Sequence, residues 1–341
     1  MCKLRYLLCI ILLLARYHLS AQNIFVDVQK GSDLNPGSQD APLATLTKAM
    51  EHARVINKNE NVTIKVLPGL YVLNDKVTID KPNTEEAWLT IEAAIMPDDA
   101  DWTPTQMPVI QSISSNNSTT QFPHAIGLLI ATGHVSIRGL KFLGNPNPNV
   151  KYYYPINRED STLTGLNVSQ CYFIGEKNSA PIQGSIWAHG AATHVDHCIF
   201  FGIKNALLLF KGIKDFSLTY SIISGAYEAA VWYGPFNHPF IFQNNIVADS
   251  EYLWLRQENT FPKYEFSDCL FTGLKHYMGY YAGNGAVPAE RNGHTERNVG
   301  KTGKLLLSEV GVNGLPKDYL NPISGSEGTQ LRAGIFKKTA R

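Results

Sequence analysis

Apolar residues recur along this chain in a beat that is not helical and that returns many times. "VSQCYFIG" (168–175), "VDHCIFFG" (195–202), "LTYSIISG" (218–225), "FQNNIVAD" (242–249) and "FSDCLFTG" (266–273) share one order. An apolar residue is followed by two variable ones, a small or polar one, any residue, an apolar one, and usually Gly. "IRGLKFLG" (137–144) is an earlier copy. The fourth position falls at Leu140, Cys171, Cys198, Ser221, Asn245 and Cys269, at spacings of 31, 27, 23, 24 and 24 residues. A second set of short apolar segments keeps the same beat and ends at Gly133, Gly165, Gly190, Gly212, Gly234 and Gln257. Two motifs advancing together by about 23 residues predict a solenoid with one coil per repeat. Short strands separated by turns make it an all-β fold, a parallel β-helix.

The register assigns directions. Val195, Cys198 and Phe200 take inward positions, so Cys171, Cys198 and Cys269 are rungs of an internal stack, where free Cys behaves as a small hydrophobe. His197 falls on a corner shared with Gly139, Gln170, Tyr220, Asn244 and Asp268, residue types that include several tolerant of left-handed backbone. The cluster His194, Asp196, His197, Cys198 therefore reads as one coil and not as a metal site. "APLATLTKAMEHARVI" (41–56) has helical spacing and predicts a cap helix over about 43–56 at the open N-terminal end.

Composition adds limits. Charged residues are 17% with a formal net charge of +1, which gives no field for nucleic acid or an anionic membrane. Residues 1–21 carry Lys3 and Arg5, an apolar core from Leu7 to Leu14, and Ser20-Ala21. This predicts a signal peptide cleaved after Ala21, too short to span a membrane, and a secreted or periplasmic protein. Residues 22–341 are expected to form a single domain, monomeric, with a closing segment over about 285–341. Three cysteines remain after cleavage, an odd number that does not suggest a disulfide framework.

"FVDVQKGSDLNPGSQDAPLATLTKAMEHA" (25–53) with "VTIKVLPGLYVLNDKVTI" (62–79), and "DYLNPISGSEGTQLRAGIF" (318–336), resemble the opening and closing segments of secreted right-handed β-helix proteins of the pectate-lyase-like superfamily. The resemblance covers nearly all of the chain after residue 21. It implies a carbohydrate substrate, with the strand before the Gly turns flooring the cleft. The residue before each turn end reads Thr132, Thr164, His189, Lys211, Tyr233, Arg256. Imidazole, amine, phenol and guanidinium in one row suit β-elimination on a uronate sugar, by a polysaccharide lyase or a sugar dehydratase. Arg256 is the expected carboxylate clamp, Lys211 the base, and His189 and Tyr233 the alternative acid or base. Trp187 and Trp254 lie on the same strands as candidate sugar-stacking rings. Arg138, His194 and Asp196 on the neighbouring strands are candidate substrate contacts. Glu228, His238, Glu251, Glu258 and Glu265 sit in or near the lengthening loops beside the cleft.

The row contains no carboxylate pair, so a glycoside hydrolase is the second reading, with Glu228 and Asp249 or Glu251 as its acids. A non-catalytic carbohydrate-binding β-helix is the third. Calcium assists some lyases of this fold, but no dense Asp/Glu cluster marks the cleft, so no metal or other cofactor is predicted.

Overall fold

Three ladders of short parallel strands stack into a β-solenoid of about eight coils. The computed structural model describes residues 22–120, 122–234, 238, 240–260, 264–289, 294–312 and 314–337, so the expected signal peptide lies outside the described residues. Ladder one starts at Gln22–Val26, which pairs with Val62–Val66, and ends at Thr295–Gly300. Ladder two runs from Leu70–Leu73 to the second half of Glu265–Thr272. Ladder three runs from Val77–Ile79 to His276–Tyr281 and ends on antiparallel Ala286–Pro288. The first strand thus precedes the expected first coil at 62–79.

The repeat sets the core. Val168, Val195, Leu218, Phe242 and Phe266 are successive partners on ladder one, and all are buried. On ladder two, Phe142, Phe173 and Phe200 stack at 5.0 and 4.9 Å with planes within 8°. Those distances match the spacing between adjacent strands, so identical registers put ring on ring. Gln170, His197, Tyr220, Asn244 and Asp268 all turn the corner with φ between 48° and 56°, and Gly139 joins them at 67°. His197 stacks on Tyr220 at 4.8 Å and is a corner residue.

Just past the corner, polar rungs satisfy buried backbone groups. Ser221 N–H donates to Asn245 Oδ1 at 2.9 Å, and Asn245 Nδ2 donates to Leu218 O at 2.7 Å. Cys171, Cys198 and Cys269 are buried and free.

The N-terminal helix spans Leu46–Arg54, shorter than the expected 43–56, because Thr45 caps it by accepting from Lys48 N–H at 3.1 Å. Its buried residues Leu46, Ala49, Met50 and Ala53 join the core.

The C-terminal segment, expected to close the fold, packs along ladder two. Ladder two is apolar on both faces, and its outward residues Tyr172, Ile199, Ile222, Ile246 and Leu270 need cover. The chain beyond the last strand supplies it with Leu320, Leu331, Ala333 and Ile335, running back toward earlier coils. Gly334 N–H donates to Tyr220 O at 2.9 Å, Gln170 Nε2 donates to Ile335 O at 3.0 Å, and Lys337 N–H reaches Asp98 Oδ1 at 3.1 Å.

Candidate active-site groove

Ladder three does not align the four residues expected in one row. Its register pairs Arg158, Ala188, Leu209, Tyr233, Arg256 and Tyr280 in succession. His189 lies one residue beyond this row and Lys211 two. The Gly turns misled because the chain leaves each strand after a different number of residues, whereas inward apolar side chains fix the register. The segment 162–165 belongs to the start of ladder one, as Thr164 pairs with Ala191. The matching strand on ladder three is Tyr153–Arg158, where Pro155 and the lack of a terminal Gly hide the repeat.

Strand alternation then decides exposure. Tyr233 points inward at 1% exposure, and burial pushes its phenol up to about 12. Trp254 points inward and packs against Phe240 at 4.9 Å. Arg256 is 5% exposed, with its guanidinium 5.2 Å from the Tyr280 ring centre and Nη1 donating to Gln257 O at 3.3 Å. Burial thus sets Tyr233 and Trp254 apart from the acid–base role and the sugar contact expected of them, and Arg256, the expected carboxylate clamp, is not among the residues lining the cavities described below.

The outward row carries Asn157, Trp187, Leu208, Trp232 and Leu255. Trp187 faces a cavity of about 360 Å³ with Thr120, Phe122, Glu159, His189, Phe210 and Lys211. Phe210 also walls a neighbouring cavity of about 570 Å³, shared with Trp232, Tyr281, Gln257, Glu258 and Asn259. Phe122 and Trp187 stack at 5.8 Å, Phe210 meets Trp232 at 5.1 Å, and Trp232 meets Tyr281 at 5.0 Å. The result is an aromatic-floored groove along the solenoid axis. Glu258 is the loop acid that reaches it. Glu228 instead contacts Lys204 at 3.2 Å, and Glu251 contacts Lys275 at 2.7 Å.

His189 is fixed from two sides. Arg158, fully buried, donates from Nε to His189 O at 2.6 Å and from Nη2 to Thr193 Oγ1 at 2.6 Å. Burial lowers Arg158 to about 10, which leaves it charged at neutral pH. Lys211 N–H donates to His189 Nδ1 at 3.2 Å. Burial first, then the Lys211 and Arg158 cations against an opposing Glu159, hold His189 down to about 4. Near neutral pH the ring is uncharged, Nδ1 accepts, and Nε2 must carry the hydrogen. His189 is therefore a hydrogen-bond donor and not a base.

Sequence reasoning missed Glu159. Its Oε1 lies 3.3 Å from His124 Nε2, 3.4 Å from Asn157 Nδ2 and 3.5 Å from Thr120 Oγ1. His124 Nδ1 lies 3.0 Å from Phe122 O. Among the described residues, His124 Nε2, Trp187 Nε1 and Asn157 Oδ1 are buried without hydrogen-bond partners.

Arg138, His194 and Asp196 lie on ladder one and line neither cavity. Arg138 Nη1 donates to Glu92 Oε2 at 3.0 Å. His194 Nδ1 is 2.8 Å from Ser217 Oγ, and its Nε2 is 3.6 Å from Asp215 Oδ2. Asp196 meets Lys337 at 2.9 Å, His197 at 3.0 Å and Thr219 Oγ1 at 2.8 Å. Burial raises Asp196, but the His197 and Lys337 hydrogen bonds outweigh it and hold the carboxyl well below its usual range. These three side chains, expected as substrate contacts, are engaged by Glu92, Ser217, Asp215, His197, Thr219 and Lys337. Among the described residues, no three His, Cys, Asp or Glu side chains cluster around a common metal position, and no helix is long and apolar enough to cross a membrane.

No protein family and no curated protein matches the chain. Among solved structures it is similar to a pectin methylesterase bound to a hexasaccharide, at 13% identity over 94% of this chain and 99% of that one, TM-score 0.47. It is similar to a rhamnogalacturonan lyase at 12% identity over 81% and 80% of the two chains, TM-score 0.44. It is also similar to a lacto-N-biosidase from Eubacterium ramulus at 12% identity over 82% and 68%, TM-score 0.40. The fold itself rests on the three parallel ladders, which make this chain a parallel β-helix protein.

Proposed function

We propose that this protein is an exported carbohydrate-active enzyme that breaks a carbon–oxygen bond by β-elimination in uronate-containing acidic glycans. The observation that carries this reading is the wall shared by His189 and Lys211. It sets an obligatory N–H donor beside an amine in a cavity that Glu159 and the rings of Phe122, Trp187 and Phe210 also line.

Elimination has three requirements. Charge that develops on the substrate carboxylate needs a fixed donor, which His189 Nε2–H supplies. The carbon-bound proton needs a base. Lys211, an exposed amine on the cavity wall, is the group we assign to that step. The departing oxygen needs an acid, and Glu159 is the carboxyl group in that cavity.

Glu258 favours a second reading, glycoside hydrolysis, because it gives the groove a second carboxyl group on the far side of Phe210. Incubation with a panel of acidic polysaccharides and oligosaccharides separates the two. Elimination produces the ultraviolet absorbance of a new C=C bond, and hydrolysis produces reducing ends without it. Binding with neither signal supports the non-catalytic carbohydrate-binding alternative. Export is tested by N-terminal sequencing of the mature protein, expected to begin at Gln22.

A further inference from the structure

The second cavity of the groove, about 570 Å³, is built from different groups than the first. Its size falls within the ~300–1,000 Å³ of ligand pockets. Trp232 and Tyr281 meet at 5.0 Å with planes 46° apart, and Phe210 meets Trp232 edge-on at 5.1 Å. Trp232 itself packs on the buried cluster of Ala229, Tyr252 and Leu255, which fixes the ring in place. Ring faces held in this way offer apolar area to the C–H faces of a pyranose.

The polar wall comes from one turn, which follows strand Tyr252–Gln257. The Gln257 carbonyl accepts from Thr260 N–H at 3.2 Å, Thr260 Oγ1 at 2.6 Å and Arg256 Nη1 at 3.3 Å. Asn259 takes φ of 60°, left-handed backbone that Asn tolerates. The turn thereby sets Gln257, Glu258 and Asn259 on the cavity. Two side-chain amides each donate and accept, whereas a carboxylate only accepts.

That set suits sugar hydroxyls, which do both. It does not suit an acidic sugar, whose carboxylate only accepts and meets Glu258 as a like charge. Among the described residues no cation lines this cavity, and the Arg256 guanidinium is 5.2 Å from the Tyr280 ring centre. The first cavity differs, because Lys211 and the His189 N–H donor stand there beside Glu159. Trp187 and Trp232 share the outward row with Leu208 between them, two strand spacings or ~10 Å apart. Phe210 walls both cavities, so one oligosaccharide can reach both.

We propose that the Trp232–Tyr281 cavity is a subsite for a neutral pyranose, and that the preferred substrate is a mixed glycan with a neutral sugar across Phe210 from its uronate. An all-uronate chain is disfavoured. Glu258 accepts hydroxyl hydrogens from the neutral sugar and repels an acidic one, so the preference has a repulsive element as well as an attractive one. The uronate half rests on the reading of the first cavity given above. The neutral subsite stands on the second cavity alone.

Methyl glycosides of neutral hexoses, deoxyhexoses and xylose, set against those of glucuronate and galacturonate, test the subsite without any cleavage. Nitrogen-15 spectra of the whole protein follow the indole Nε1–H signals of Trp187 and Trp232, assigned with Trp187→Phe and Trp232→Phe. At least one neutral glycoside is expected to shift the Trp232 signal with a Kd at least ~fivefold below that of either uronate. Glu258→Gln keeps the shape and removes the charge, and should bring the two classes within about twofold at Trp232. Three results each overturn the subsite: no neutral glycoside moves Trp232, uronates bind there as tightly, or the preference survives Glu258→Gln.

On cleaved glycans, the best mixed oligosaccharide is expected to exceed an all-uronate oligomer of equal length by about tenfold in kcat/KM. Equal cleavage of the two overturns the substrate preference while the cleavage reading stands. Neutral binding at Trp232 with no glycan cleaved removes the cleavage reading and leaves the subsite.

Discussion

The backbone N–H of Lys211 donates to His189 Nδ1 at 3.2 Å, so the order of two turn residues sets the tautomer of the imidazole above the groove. This predicts how stability depends on pH. His189 is held down to about 4 in the folded protein, below the ordinary histidine value near 6.5 of an unfolded chain. Between those values the unfolded state binds more protons, so His189 contributes stability that is lost as pH falls from about 6.5 toward 4. Urea unfolding midpoints across that range should fall less steeply in His189→Gln. The expected difference is on the order of 1 kcal/mol, modest because the ring borders an open cavity.

Activity and stability should separate by face. Lys211→Ala and Glu159→Gln are expected to lower kcat/KM by about 10²–10⁴-fold while leaving the unfolding midpoint nearly unchanged. Tyr233→Ala, on the inward side of the same ladder, is expected to cost about 3–5 kcal/mol of stability. Tyr233→Phe should retain activity, because the phenol does not line the groove. Kinetics and chemical unfolding on the four variants check this directly.

The aromatic floor should be felt in binding. Phe210 walls both cavities, so Phe210→Ala is expected to raise KM about tenfold for a glycan long enough to cross it, roughly 1.4 kcal/mol. A monosaccharide that fills one cavity should be affected less. Tryptophan fluorescence titration, reporting on Trp187 and Trp232, measures both affinities.

Inside the solenoid, Asn245 ties two coils together through Ser221 N–H and Leu218 O. Asn245→Ala leaves a buried donor and a buried acceptor unpaired, and should destabilise by about 2–4 kcal/mol in equilibrium unfolding.

Much of this architecture is legible in the chain. The inward column from Leu140 to Cys269 and the corner column from Gly139 to Asp268 follow from a period that only stacked coils satisfy. The groove is less legible. Gly ends a turn without fixing the register before it, so counting back from Gly placed Tyr233 and Arg256 beside His189 when the pleat turns both inward. Glu159 escaped because the strand before it, Tyr153–Arg158, contains Pro155 and ends without Gly. His124 lies before any repeat and meets Glu159 only through the fold. The C-terminal cover of ladder two was encoded in Tyr172, Ile199, Ile222, Ile246 and Leu270, outward residues whose apolar character demanded a partner.

The most direct test is a continuous ultraviolet assay of new C=C bonds on a panel of uronate polymers and oligomers, run with wild type, Lys211→Ala and Glu159→Gln in parallel. Absorbance that rises with the wild type and is lost in both variants is the predicted result. Reducing ends without absorbance, or full absorbance in Lys211→Ala, would contradict the elimination chemistry assigned to this groove.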